Sequence, residues 1–455
     1  KLGTGQTGVG GKILTWSGAG WTGQPLIFLE DTVVYILQGT YSHRVLKIRA
    51  DNLNIEWAYD FGDMLKGTGT VWYNAKADSG NKFVLIQGGR LGFKNRLSSK
   101  VVPSLRAINY KTGKNLWKLN SKRTKCYSRD VDASALIHND TAYIGLENGI
   151  FTVFDPNPSS ADTLLGLLQP KVFEEHMLYE EQDRLLHRGN LVTESSPSIL
   201  GNRIYVSSGS GHLYGYNLKT RTIDFDFKTG SDMDGSPVVT DDSCLIVSLE
   251  KEYIPGKAGV FKIDPSKPAD SCVVWYYALP NRHFAHWQGG VIGSATINDS
   301  YRRKRDEIPN LAAFSTIDGH LYVVKTKELS GDSVLGPQNL RKYPSPQLVY
   351  KYKISESIST PVFVQNKIVA ASYDGVRLFE FDSDLNFKLL DHFPAGSVEA
   401  TPAVYNGKVY IASKNGLLYV LGDKSKPVNP TYDYITPDSR LFFSDARQII
   451  RLGLK

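Results

Sequence analysis

Cysteine is scarce in this sequence: Cys126, Cys244 and Cys272 are the only three in 455 residues, far apart and never in a CxxC spacing. That scarcity excludes a zinc ribbon, a c-type haem attachment site and a dense disulfide framework, and the odd number leaves at least one thiol free. Long apolar runs are missing too. No stretch approaches the ~18 uncharged apolar residues of a membrane span, so no segment reads as a transmembrane helix. Charge of one sign is nowhere dominant. Lys and Arg number 53 against 46 Asp and Glu, and the formal net charge of +7 is spread over the whole chain. Such a mild surplus names no polyanionic partner and no nucleic acid. The one dense cationic run, Arg302-Arg303-Lys304-Arg305, is followed at once by Asp306-Glu307 and reads as an exposed, solvated loop. No signal-peptide pattern is visible, and Lys1 in place of an initiator methionine reads as the start of a processed or trimmed chain.

What is present points to sheet. Tyr (25), Phe (19) and Gly (41) are abundant, and a hydrophobic share of 41% supplies a real core. Six segments share a small-hydroxyl opening, a short apolar strand, a polar turn and a second strand. They start at Ser134-Ala135, Ser196-Pro197, Ser236-Pro237, Ser294-Ala295, Thr360-Pro361 and Thr401-Pro402. A unit of about 40 residues, lengthened by insertions and without helical periodicity, is the signature of propeller blades or another β array. The cleanest copy runs Thr401–Tyr405, turn Asn406-Gly407, Val409–Ser413, turn Asn415-Gly416, Leu417–Leu421. Asn-Gly supplies the two positive-φ residues that a sheet-matched two-residue hairpin requires. The second turn recurs as Asn148-Gly149, Gly211-His212, Asp318-Gly319 and Asp374-Gly375, so these are strands A, B and C of an antiparallel blade.

The fourth strand often ends in a large aromatic, best seen in Ala107-x-Asn109-x-x-Thr112-Gly113-Lys114-x-x-Trp117. This stretch resembles the tryptophan-docking motif of the PQQ-like (quinoprotein-type) β-propeller family, in which the Trp packs between neighbouring blades. Weaker forms end at Trp57, Phe227, Trp275 and Tyr350, and the resemblance extends roughly over residues 11–422. Strand A falls near Leu26, Val71, Leu136, Ser198, Val238, Thr296, Val362 and Ala403. The expectation is an all-β, eight-bladed propeller of four-stranded antiparallel blades over residues 1–423. A tail, 424–455, would dock on the propeller or on a partner. The eighth blade lacks its own outer strand, whereas Gly11–Trp16 is an outer strand without a blade. The N-terminal segment, about 11–17, is therefore expected to complete blade eight and close the ring, with Trp16 docking beside Trp57, Trp117 and Trp275.

Candidate chemistry is thin. An acid stands two residues before the hydroxyl of strand A in four blades: Asp132, Glu194, Asp234 and Glu399. Where the innermost strands begin, these carboxylates surround the mouth of the central channel. They suit a hard cation such as calcium or a basic segment; the preferred reading is that each accepts amide hydrogen bonds within its own loop. His283 and His286 have no acid or thiol beside them in sequence and read as a packed pair. Gly88-Gly89 and Gly67-Thr68-Gly69 read as turn or close-packing glycines, since no strand-to-helix context makes them phosphate loops.

Quinoprotein dehydrogenases of the resembled family use a vicinal Cys-Cys disulfide over the quinone, a calcium ion and an Asp base. No adjacent cysteines occur here, so the resemblance implies the scaffold and not a PQQ site, and places the chain beside the non-enzymatic, BamB-like branch. The function expected on that resemblance is a non-catalytic binding or scaffold protein of the bacterial cell envelope. It would hold protein partners, such as an outer-membrane β-barrel complex, in the periplasm or at the cell surface. A quinoprotein or metal-dependent enzyme and a carbohydrate- or small-ligand-binding propeller are the alternatives.

Overall fold

The computed structural model describes residues 1–301, 308–422 and 449–451. Short strands joined by tight turns build every blade. In the last one, Asn406 (φ 52°) and Gly407 (φ 71°) turn Ala403–Tyr405 back onto Lys408–Ala412 with Tyr405 opposite Lys408. Two consecutive positive-φ residues are what a hairpin with the right-handed sheet twist demands.

Repetition of this unit gives eight antiparallel blades arranged as a β-propeller. The innermost strands A are Leu26–Glu30, Thr70–Tyr73, Leu136–His138, Ser198–Leu200, Val238–Val239, Thr296–Ile297, Val362–Val364 and Ala403–Tyr405. Strands follow in the order A–B–C–D outward, so the D–A and B–C connections share one face of the ring. Among the described residues the first seven blades carry strands A to D and the eighth shows three strands. Ile449–Arg451 lies parallel to Leu26–Glu30, on the axial side of blade one. No described helix is long and apolar enough to cross a membrane.

The core lies between blades. Val84, Ile86 and Ala107 of blade two meet Ala142, Ile144 and Phe154 of blade three in one buried cluster. The ring closes the same way: Ile36 and Ile48 of blade one and Val369 of blade seven sandwich Tyr410, Ile411 and Ala412 of blade eight. Tryptophans at the outer strands stitch neighbours together. Trp57 donates from Nε1 to the Tyr110 carbonyl (2.9 Å), Trp117 to that of Pro156 (3.1 Å) and Trp275 to that of Thr326 (2.9 Å), each acceptor belonging to the following blade. Trp117 and Trp275 are fully buried; Trp57 is half-buried. Gly113 (φ +68°) is needed at the turn that receives Trp57, because a Cβ there would lie 2.8 Å from the indole ring. Phe227 is buried against Phe261, and half-buried Tyr350 stacks on Phe387 at 4.4 Å.

The N-terminus departs from the sequence reading. Lys12–Ser17 is not the outer strand of blade eight; it pairs with Thr4–Val9 in a separate hairpin. Gly10 (φ +56°) and Gly11 (φ +79°) make the turn that folds the two strands together, so Lys12–Ser17 satisfies its backbone within the hairpin. Trp16 packs on Tyr41, ring centroids 5.3 Å apart, rather than between blades. The contact with blade eight comes from the first residues instead: Leu2 is buried in the closing cluster and donates its N–H to the Gly416 carbonyl at 2.7 Å.

Insertions decorate the ring. Residues 155–190 hold a small hairpin (Asp162–Leu164 with Leu167–Gln169), the outer strand Val172–Met177 and the short helix Glu181–Leu186. In blade six, His320–Leu335 and Lys342–Lys353 form a long hairpin that reaches across blade five, placing Tyr343 on Phe261 at 5.5 Å. Its tip is fixed by Gln338 Nε2 to the Thr229 carbonyl (2.8 Å) and by Gly256 N–H to the Pro337 carbonyl (2.8 Å). The cationic run 302–305 lies outside the described residues, as do 423–448 and 452–455 of the tail.

Candidate functional site at the channel mouth

The recurrent Ser/Thr before strand A has a defined job. The N–H of Gln24 donates to Thr68 Oγ1 (2.6 Å), Ser134 to Ser196 Oγ, Ser196 to Ser236 Oγ, Ser236 to Ser294 Oγ and Ser294 to Thr360 Oγ1 (2.9 Å each). Thr360 donates to Thr401 Oγ1 (3.4 Å), and Thr401 N–H returns to the Gly23 carbonyl (3.2 Å). Between blades two and three the chain runs through Ser134 Oγ donating to the Thr68 carbonyl at 2.8 Å. The result is a belt of hydrogen bonds around the axis that links every blade to the next and lines a cavity of about 80 Å³. Thr68 is a member of the belt, and a Cβ on the preceding Gly67 would run into the Asp132 carbonyl. Ser236→Ala leaves the buried Ser196 N–H without its acceptor and should cost about 1–3 kcal/mol. Ser236→Thr should retain the acceptor; equal urea midpoints for Ser236→Ala and the parent protein would contradict the belt.

The slot two residues before each hydroxyl decides the electrostatics. It holds Lys66, Asp132, Glu194, Asp234, Ile292, Ile358 and Glu399 around the ring. The four expected acids therefore share one structural position, but they do not share one environment. Asp132, Glu194 and Asp234 line the cavity. Glu399 is tied instead to Lys414 Nζ (2.6 Å), Tyr373 OH (2.6 Å) and Tyr41 OH (3.3 Å). The expected turn-forming bonds are not what holds them: among the described residues none of the four accepts from a backbone amide of its own loop. The partners of Asp132, Glu194 and Glu399 are side chains.

Lys66 is the residue that sequence reasoning missed. Its ammonium pairs with Asp132 and lies 3.7 Å from Glu147 and 3.9 Å from Glu194, with the Trp21 ring 4.9 Å away. Burial pushes Asp132 up to about 7 against the pull of Lys66, and raises Glu147 well above the usual carboxylate range with Asp132 adding to it. Burial alone would lower Lys66, but Asp132, Glu147 and Glu194 together hold its ammonium protonated well above the ordinary lysine range. Arg90 completes this neutralisation by donating from Nε to Asp130 Oδ2 at 2.9 Å.

Aromatic side chains cover part of the mouth. Trp21 donates from Nε1 to Glu194 Oε2 (2.5 Å) and stacks at 9° on His286. His286 in turn lies 4.1 Å from the ring of Trp287. His283 and His286 belong to the loop and strands of a hairpin, Asn281–Phe284 with Trp287–Gly289, and His286 is packed among indoles, with no ion pair to an acid among the described residues. Beside this hairpin, whose Gly289 carbonyl accepts from the Lys251 N–H at 3.0 Å, the mouth is acidic: Asp232, Glu250 and Glu252 offer carboxylate oxygens all within 4.8 Å of one another. Burial and the neighbouring carboxylates raise Asp232 to about 7 and Glu250 and Asp234 well above the usual range. The three cysteines are buried, unpaired and distant from one another in the chain, and burial pushes each thiol up to about 11.

A comparison with curated proteins gave no match. Among solved structures, the chain is similar to BamB from Moraxella catarrhalis (14% identity, TM-score 0.55), over 87% of this chain and 96% of that one. It is also similar to the computationally designed protein Ika8 (12% identity, TM-score 0.50), over 90% of this chain and 98% of that one. At these identities the two structures attest the fold alone. The family model described as outer membrane protein assembly factor BamB matches residues 11–275, more than half of the sequence, and the chain belongs to that family.

Proposed function

We propose that this propeller is a non-catalytic binding component of the bacterial cell envelope, periplasmic or at the cell surface, that holds protein partners of an outer-membrane assembly or secretion complex. The observation that carries the reading is membership of the BamB family over residues 11–275. A rigid ring with inserted loops suits that role, because binding residues sit on loops that a stiff scaffold positions. Leu164, Leu165 and Leu168 on the small hairpin, and Leu185 and Leu186 on the short helix, are exposed leucines on such insertions. Apolar side chains gathered on protruding elements suit a protein contact.

A quinone cofactor does not fit this chain. The vicinal disulfide of quinoprotein dehydrogenases has no counterpart in Cys126, Cys244 and Cys272, and the cavity wall is a belt of hydroxyls bonded to backbone amides. The test is affinity capture from detergent-solubilised envelopes of the source cells. A captured outer-membrane β-barrel protein, lost with Leu164→Asp, Leu165→Asp and Leu168→Asp combined, is the expected result. Dye-linked dehydrogenase activity after reconstitution with PQQ and calcium would overturn the reading.

A further inference from the structure

The acidic arrangement at the junction of blades two and three recurs at the junction of blades four and five, with one difference. In the first copy the amide of Glu147 donates to the Asp130 carbonyl (3.3 Å); in the second, that of Glu250 donates to the Asp232 carbonyl (3.0 Å). Asp130-x-Asp132-x-Ser134 thus corresponds to Asp232-x-Asp234-x-Ser236. The cations of the first copy do not recur. Arg90 donates its backbone N–H to the Met64 carbonyl, two residues before Lys66; the residue in the matching bond, to the Val192 carbonyl two residues before Glu194, is Gly209. So Gly209 stands where Arg90 stood, and Glu194 stands where Lys66 stood. Both positive charges are gone and a negative one is added.

Nothing among the described residues replaces them. Among the described residues no Lys, Arg or His nitrogen forms an ion pair with Asp232, Glu250 or Glu252, and no hydrogen bond reaches the Glu250 carboxylate, although Glu250 is only 7% exposed. Asp232, 5% exposed, accepts from Asn190 Nδ2 through Oδ2 (2.7 Å), while its Oδ1 is buried without a partner. The amide oxygen of Asn190 beside it is equally buried and equally without a partner. A Cβ on Gly209 would lie 2.8 Å from that same Asp232 Oδ1, so the missing side chain leaves the oxygen facing the vacated place. Buried carboxylates without counter-charge are expensive, and proteins meet this with a proton, a side-chain cation or a bound ion.

We propose that Asp232, Glu250 and Glu252 hold a calcium ion in the place that the Arg90 and Lys66 side chains take at the equivalent junction. The donors are all carboxylate oxygens, which select a hard cation over zinc or copper. Oxygens on a calcium ion at ~2.3–2.6 Å lie roughly 3–5 Å apart across it, and the three groups offer oxygens all within 4.8 Å of one another. Glu252 is half-exposed and opens one side to solvent, where water supplies the remaining ligands that calcium takes. The Gln338 and Gly256 bonds of the long blade-six hairpin brace both loops, so the ion would sit on a fixed frame.

Calorimetric titration of the chelator-stripped full chain with calcium chloride at pH 7.5, beside melting curves, tests this. The parent protein should bind calcium saturably and melt at higher temperature with it. Glu250→Gln with Glu252→Gln should weaken the affinity at least ~100-fold, on the scale of ligand and near-ligand losses. Asp232→Asn should weaken it as well, and serves if the double variant does not fold. Glu147→Gln, in the copy that Lys66 fills, should bind calcium as the parent does. No saturable binding by the parent protein overturns the proposal, as does undiminished binding after loss of the Glu250 and Glu252 carboxylates. Loss of binding in Glu147→Gln alone would also overturn it, by placing the ion at the other junction.

Discussion

Trp117→Ala will lower the stability of the propeller by about 3–5 kcal/mol, the range for truncating a fully buried aromatic. Trp117 is 0% exposed, meets Phe154 edge-on at 5.6 Å and donates to the Pro156 carbonyl of the next blade. Its removal therefore opens a cavity between blades two and three and orphans a buried carbonyl at the same time. Trp16 is the internal control. It sits half-buried on the N-terminal hairpin against Tyr41, outside any blade interface. Trp16→Ala should cost about 1 kcal/mol or less, within the usual range for sites away from the core. Urea midpoints with unchanged slope measure both, and equal losses would mean that the blade interface is not where Trp117 acts. Partner binding per folded molecule should survive either change, because neither indole lies on the exposed leucine-bearing insertions.

How these two tryptophans differ shows what the sequence can and cannot say. Trp117 was legible because its position is repeated: a tryptophan on the outer strand recurs at Trp57 and Trp275, and a repeated environment needs a repeated residue. Trp16 shows a similar Gly-Lys-to-Trp pattern, one residue longer, but not its context. The Gly10-Gly11 dipeptide just before it is itself a hairpin signal, and local pairing with Thr4–Val9 wins over a long-range pairing with blade eight because it closes a two-residue loop. The hydroxyl belt was visible as a motif, and its cause, one blade's amide bonded to the next blade's hydroxyl, appears only once the ring is assembled. Lys66 was readable from its spacing alone: it stands two residues before Thr68, as Asp132 does before Ser134. It was masked by glycines on either side of Thr68, which read as turn residues. Glu147, Glu250 and Glu252 carry no such signal. They come from B–C loops, and only the stacking of D–A loops over B–C loops brings them to the mouth. The long blade-six hairpin hides for a similar reason, since its extra length breaks the repeat that identifies the other strands.

Removing the cation at the first junction should have the other large effect, and a pH-dependent one. Lys66→Met keeps much of the stem volume and deletes the ammonium that faces Asp132, Glu147 and Glu194. Stranding buried carboxylates without their partner typically costs about 3–5 kcal/mol. The sign of the pH dependence follows from the carboxyls. Asp132 and Glu147 already have folded-state pKa values above those of the unfolded chain, so the folded state binds more protons and stability falls as pH rises from about 4 through the folded values. Without Lys66 both values move further up, and the fall becomes deeper and extends to higher pH. The variant should therefore be close to the parent protein near pH 5, where Asp132 and Glu147 are protonated, and several kcal/mol weaker at pH 8. In the parent protein Lys66 is held protonated well above the ordinary lysine value of 10.5, so its contribution grows as Asp132 ionises through about 7 and is lost again only as pH rises beyond 10.5. Adding Asp132→Asn to Lys66→Met should recover part of the loss at pH 8 and little at pH 5, because the amide removes a charge that exists only at the higher pH. Urea unfolding of the three proteins at the two pH values measures this. An equal loss at pH 5 and pH 8 would show that Lys66 matters for its packing and not for its charge, and the account of the mouth as a charge-balanced junction beside an unbalanced one would fall with it.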